Sequence, residues 1–252
     1  MAIAYVSHEP GTVENTASST KATAFPGNVI AGNLLIAAIS YYNPAGTISV
    51  SSIADSRSNT WALAYGPVTV SSIGGDWSFE VWRAYNNAST GANTVTVTYS
   101  ASVAEGRGCS VSEFSGLATS SAQDQEFGQQ QVNPGTATDG VSSGTVGPII
   151  TANQLIYGAT MALPYNTITE GTGYTTLGNT GNSGTYNRNA AEYKIVSATG
   201  TQAATFTSND NTTDTATIIV TFMEPAAGGG GPIIGGGSIT TGSLIRGGRL
   251  TS

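Results

Sequence analysis

Charge is what this chain has least of. Asp, Glu, Lys and Arg make up 9 % of its 252 residues, against roughly 25 % in ordinary soluble domains. Only 8 residues are Lys or Arg, too few for the basic face that nucleic acid demands, so polyanion partners are disfavoured. The 15 acidic residues leave a net charge of −7, spread along the chain, which serves solubility. One cysteine, Cys109, rules out an intrachain disulfide. One histidine, His8, leaves no Cys/His cluster for zinc. Apolar runs are short: the longest, 29–39, is broken by Gly32 and Asn33 and cannot span a bilayer. The opening MAIAYVSHEPGTVENT has neither a basic n-region nor an apolar h-region. A Sec-type signal is therefore not expected, and the chain is expected to fold in the cytoplasm where it is made.

Ser, Thr, Asn and 33 Gly take the place of the missing charge. Thr and Val favour strands, while Gly and Asn favour turns, so the composition suits many short strands. Strand-like runs fall at 20–25, 33–41, 48–53, 60–66, 77–85, 94–99 and 109–114, with turn clusters between them. In 94–99 the alternation has period two, with Val95, Val97 and Tyr99 on one face. No segment keeps a 3.6-residue apolar period, so helix is not expected.

The second half repeats this plan. AGNLLIAAIS (31–40) matches TANQLIYGAT (151–160), an offset of 120 residues at the shared Asn33 and Asn153. NTWALAYG matches GYTTLGNTG, SFEVWRAYN matches AAEYKIVSA, ANTVTVTYS matches QAATFTS, and CSVSEFSG matches ATIIVTFM, all in the same order. The chain therefore divides into a first β-sandwich repeat (1–117), a second (118–224, joined at 118–133) and a Gly-rich C-terminal segment (225–252). The expected class is all-β: an antiparallel β-sandwich, jelly-roll or Ig-like, with internal duplication. Tandem sandwiches and one fused unit both fit. Large residues on both faces of 77–85, with Trp77, Phe79, Val81 and Tyr85 opposite Trp82, favour the fused one.

Gly32-Asn33-Leu34-Leu35, Asp55-x-x-x-Asn59-Thr60 and Ser112-Glu113-Phe114-Ser115-Gly116, with their partial echoes in the second half, resemble a β-sandwich repeat of tailed-bacteriophage virion structural proteins. The repeat also occurs in bacterial surface and secreted proteins. The resemblance covers about 12–224 and implies a virion or cell-surface module without enzymatic activity. A surface-like composition without an export signal suits a virion protein made in a host cytoplasm and released by lysis. It equally suits a mature chain whose signal has been removed.

The segment PAAGGGGPIIGGGSITTGSLIRGGRLTS is unlike anything before it. It holds too little apolar surface to fold alone, yet more than a solvated spacer needs. Ile233, Ile234, Ile239, Leu244, Ile245 and Leu250 read as plugs that order against a partner, and Arg246 and Arg249 as contacts to its carboxylates. It resembles the terminal anchoring peptides of virion accessory proteins. The expected partners are other virion proteins, capsid or tail subunits, with several copies in a symmetric oligomer, and neither nucleic acid nor membrane.

Catalytic constellations are weak. No nucleophile elbow precedes a helix, and a lone His8 reads as a surface residue. Cys109 reads as a buried small hydrophobe. Glu80 between Trp77 and Trp82 suggests a sugar cleft, but strands often alternate an aromatic with a solvent acid; spacing alone places no second acid, and Asp76, Glu105 and Glu113 are the candidates. The alternative function is a carbohydrate-binding or adhesin-like module of a tail fibre or cell surface. Its glycan face would use Trp77, Glu80 and Trp82, with Trp61 or Tyr65, toward a host-surface glycan. The loop 208–214 carries oxygen ligands that calcium could use but lacks the EF-hand pattern, and Asp or Asn there serves the turn. No metal and no cofactor is expected.

Overall fold

The computed structural model describes residues 2–72, 74–132, 140–164, 166–180, 187–209 and 213–226. Among them the chain is all-β and antiparallel throughout, with no helix. No described helix is long and apolar enough to cross a membrane.

Four sheets form. The first runs β1 (Ala4–Glu9), β9 (Arg107–Ser115), β4 (Leu34–Tyr42), β7 (Gly75–Ala84), β6 (Ala62–Ser72), with the short β2 (Val13–Glu14) also on β9. The second has three strands: β3 (Ser18–Val29), β8 (Gly91–Val103), β5 (Val50–Asp55). The third runs β10 (Gln123–Gln131), β17 (Asp214–Met223), β12 (Gln154–Leu163), β15 (Arg188–Val196), β14 (Thr175–Asn179). The fourth is β11 (Gly140–Val146), β16 (Gln202–Ser208), β13 (Ile168–Glu170). The third and fourth sheets repeat the strand order of the first and second, strand for strand.

At two of the matches the register of that repetition differs by one residue from the sequence matching. Leu34 and Leu155 both enter one shared core, whereas Asn33 and Gln154 do not. Gly32 and Asn153 then coincide, and both have left-handed backbone, at φ 88° and 57°. At the other match, Cys109 faces the three-stranded sheet of its half while Ala216 faces the shared core. Phe114 with Phe222, and Val111 with Ile219, agree in face. Side chains alternate across a strand, so a slip of one residue exchanges every face.

Three apolar clusters lie between the sheets. In the first half, Leu35, Ala37, Ile39 and Tyr41 of β4 meet Val95, Val97 and Tyr99 of β8. In the second, Ile156, Ala162 and Ile219 meet Val141, Ala204 and Phe206. The largest cluster joins the halves: Leu34, Ile36, Phe79, Val81 and Phe114 share it with Leu155, Tyr157, Met161, Ile218 and Phe222. Both faces of β4 are thus buried, which is why it is apolar at nearly every position. Full burial of each such Leu, Ile or Phe contributes about 1.5–3 kcal/mol.

Residues 118–133 are not a plain joiner. Ala118 N donates to Met223 O (3.0 Å) and Met223 N to Ala122 O (2.7 Å), pinning the connection to β17. The stretch QDQEFGQQQ forms β10, an edge strand bonded to β17 along one side. Its glutamines do not alternate with apolar residues, and no residue of the strand is fully buried.

Candidate functional site

Strand β7 carries the three residues expected to form a glycan face. Pairing with β4 and β6 on its two sides holds it central. Alternation then sends Trp77 and Glu80 to opposite faces, and both faces are covered. Trp77 is 2 % exposed and lies in the shared core, its ring centroid 5.0 Å from that of Tyr42. Glu80 is buried on the other face, where Tyr41 Oη donates to its Oε1 (2.8 Å) and Trp82 Nε1 to its Oε2 (2.7 Å). Burial raises the Glu80 carboxyl above its usual range, and those two hydrogen bonds pull it partly back. The expected solvent acid is therefore an internal acceptor, and Trp77 and Trp82 share no aromatic platform. Trp61 is half-buried and donates to Asp55 Oδ2 (2.9 Å). Tyr65 is half-buried, with its hydroxyl 3.4 Å from Gly128 O.

Three of the other acids also accept hydrogen bonds within the fold. Glu113, fully buried, accepts from Ile30 N (2.7 Å), Asn33 Nδ2 (2.7 Å) and Ser7 Oγ (3.2 Å). This ties the loop before β4 to β9, and accounts for two of the motifs that carry the resemblance. Asp55 accounts for the third. It accepts from the backbone of Arg57 and Asn59 and from the side chains of Asn59, Trp61 and Asn93. Its carboxyl sits below the usual value because these bonds outweigh the burial that opposes them. Asp76 accepts from Ser71 Oγ (2.6 Å), and Glu105 is half-exposed.

His8 is not a surface residue. It lies buried in β1, its Nδ1 2.8 Å from Ser112 Oγ, and burial lowers its pKa to about 4. Cys109 is fully buried and burial lifts its thiol to about 11, so it packs as a small apolar side chain.

Glu192 went unnoticed in the sequence. It lies fully buried between the third and fourth sheets and accepts from Gly171 N (2.8 Å) and Thr205 N (3.1 Å). It thereby replaces the strand partner that Thr205 lacks beyond the end of β13. Burial raises its pKa to about 7. The signal was the glycine opposite: a Cβ on Gly158 would stand 3.0 Å from Glu192 Cγ and 2.7 Å from Ala204 Cβ.

In the loop 208–214, whose oxygen ligands could suit calcium, Asp210, Asn211 and Thr212 lie outside the described residues. Ser208 and Thr213 bond to each other (2.7 Å), Asn209 Oδ1 accepts from Thr167 N (2.8 Å), and Asp214 accepts from Ser72. Among the described residues no group of three or more His, Cys, Asp or Glu is placed to hold a metal. The eight anchoring residues, Ile233, Ile234, Ile239, Leu244, Ile245, Arg246, Arg249 and Leu250, all lie outside the described residues.

No protein family, no curated protein and no solved structure matches this chain.

Proposed function

We propose that this chain is a non-enzymatic structural component of a tailed-phage virion: a capsid decoration, head-fibre or similar accessory protein, present in several copies. Its body is a pair of β-sandwich halves fused through a common core, and residues 225–252 dock it. The observation that carries the scaffold reading is the use made of the ionisable side chains. Glu80, Glu113, Asp55 and Glu192 hold loops and strands together, and His8 is buried beside Ser112. Groups committed to internal hydrogen bonds stabilise a shape and offer little to a substrate. The virion assignment rests on the resemblance of the Gly32, Asp55 and Ser112 motifs, and the docking role on the plugs and arginines of the last segment.

The test is deletion of 228–252 followed by assembly with phage particles. The expected result is a folded, soluble body that no longer joins them. Normal occupancy by the truncated chain would refute docking through this segment.

A further inference from the structure

The outer edge of the three-stranded sheet is finished differently in the two halves. In the first half, Thr94 N donates to Ser56 Oγ (3.1 Å) and Thr94 O accepts from Ser56 N (3.1 Å), so both its main-chain groups turn toward the β5 side. Successive residues turn theirs to opposite sides, so Val95 and Val97 bond toward β3, where Thr23 and Lys21 stand opposite them. Thr20, Ala22 and Ala24 therefore aim their main-chain groups away from β8, out of the sheet edge. At Thr20 the Arg107 guanidinium donates to that outward carbonyl.

In the second half the related edge is capped. Gly91 and Gly200 share left-handed backbone, at φ 145° and 148°, and Thr96 and Thr205 each follow five residues on. Ser142 of β11 stands opposite Thr205 as Ala22 stands opposite Thr96. Ser142 N donates to Gln131 Oε1 (2.6 Å), and Gln129 Nε2 donates to Ser142 O (3.1 Å). Two side-chain amides of β10 thus satisfy the outward main chain of β11.

β1 and β2 run where β10 runs in the other half. Glu9 stands opposite Val111 as Phe127 stands opposite Ile219, and Glu14 opposite Arg107 as Gln131 opposite Thr215. Between β1 and β2 the pairing is interrupted at Pro10, Gly11 and Thr12. The Glu14 carboxylate is taken by Lys21 Nζ (2.7 Å) and Arg107 Nη1 (3.2 Å). Among the described residues no side chain bonds the Ala22 main chain. A cleft of about 320 Å³ runs there, lined by Glu9, Gly11 and Thr12 and by residues 21–24 of β3. Its charged groups are met within the fold: Lys21 by Glu14, and Glu9 by the Gly11 N–H (3.1 Å). What remains is a neutral run of main-chain donors and acceptors, the template that a strand edge offers to another chain.

We propose that this cleft binds a neutral, extended, glutamine-bearing segment of a partner protein, whose side-chain amides bond the Ala22 main chain as Gln129 and Gln131 bond Ser142. Such binding is independent of the virion reading, because it follows from the difference between the two halves alone.

The test is an NMR titration of the full isotope-labelled chain with the capped peptide EFGQQQV, the sequence of 126–132, followed at the amides of Ala22 and Ala24. Saturable shifts at both amides are expected at peptide concentrations up to about 5 mM. Ala22→Pro removes the outward N–H but no bond to β8, a change that an edge strand tolerates. Read at Ala24, it should weaken binding at least about fivefold, as should a peptide carrying Gln129→Ala and Gln131→Ala. The altered peptide is added to the parent chain, so that arm decides the matter even where the proline variant fails to fold. Absence of shifts at Ala22 and Ala24 would overturn the proposal, as would shifts centred on β17 or equal binding of the two peptides. Particle assembly plays no part in the titration, so failure here and failure of the virion reading remain distinct.

Discussion

Phe114 sits where the two large sheets meet, and its replacement tests whether the halves are energetically one body. The side chain is fully buried, with ring centroids 6.0 Å from Tyr5, 6.4 Å from Tyr157 and 5.3 Å from Tyr193, all edge-on. Phe→Ala in a core costs about 3–5 kcal/mol. Edge-to-face partners add about 0.5–1.5 kcal/mol each where the geometry is good. Two of these partners belong to the second half, so Phe114→Ala belongs at the upper end, about 4–5 kcal/mol. At a slope of about 2.5 kcal/mol/M in urea, that lowers the midpoint by nearly ~2 M. Urea unfolding should be followed by tryptophan fluorescence and by far-UV circular dichroism. Trp61, Trp77 and Trp82 all lie in the first half, whereas dichroism reads both. If the shared core couples the halves, the two curves coincide in the parent and move together in the variant. The reasoning fails if dichroism retains a second-half transition at the parent midpoint while the fluorescence transition alone shifts.

Two further predictions concern buried titratable groups. The folded pKa of Glu192 is raised from 4.5 to about 7, so its contribution is fully present below the unfolded value. It is lost as pH rises through about 7, at a cost of about 3 kcal/mol. His8 is lowered from 6.5 to about 4, so its contribution is present above 6.5 and is lost as pH falls through about 4, by a similar amount. The two oppose each other across one window: Glu192→Gln should make stability fall more steeply than the parent on acidification from pH 7 to 5, and His8→Asn should do the reverse. Urea midpoints at the two pH values check this, and parallel behaviour of both variants with the parent would sink it. Cys109, buried with its thiol raised to about 11, should resist a disulfide-exchange reagent at pH 8 until the chain is denatured. Rapid reaction in native buffer would mean that the strand opens.

Several features of the fold were legible locally. The all-β class followed from composition, and β4, β7, β8 and β9 from apolar runs and alternation, because a strand's periodicity is written in consecutive residues. The matching of the halves was legible in order but not in register, since Asn33 and Asn153 look alike as letters while only the covered face distinguishes the neighbours. Strand ends were less legible. β3 runs to Val29 past a register shift between Ala24 and Asn28, and β6 runs to Ser72 past another between Tyr65 and Val68. Irregular pairing lets both strands continue where the sequence pattern breaks.

The sequence by itself determined which residues are apolar, how often they alternate and where the strands begin to repeat. Only the tertiary structure decided which partner each face meets. That decision turned Trp77 from a candidate sugar platform into core, and Glu80 from a solvent acid into an acceptor for Tyr41. It also buried His8, and made Glu113 and Glu192 the fasteners of distant backbone. Glu113 is 83 residues from Ile30, and Glu192 is 21 from Gly171. A carboxylate's burial and its donors are set by packing across such separations, which no local pattern of residues records.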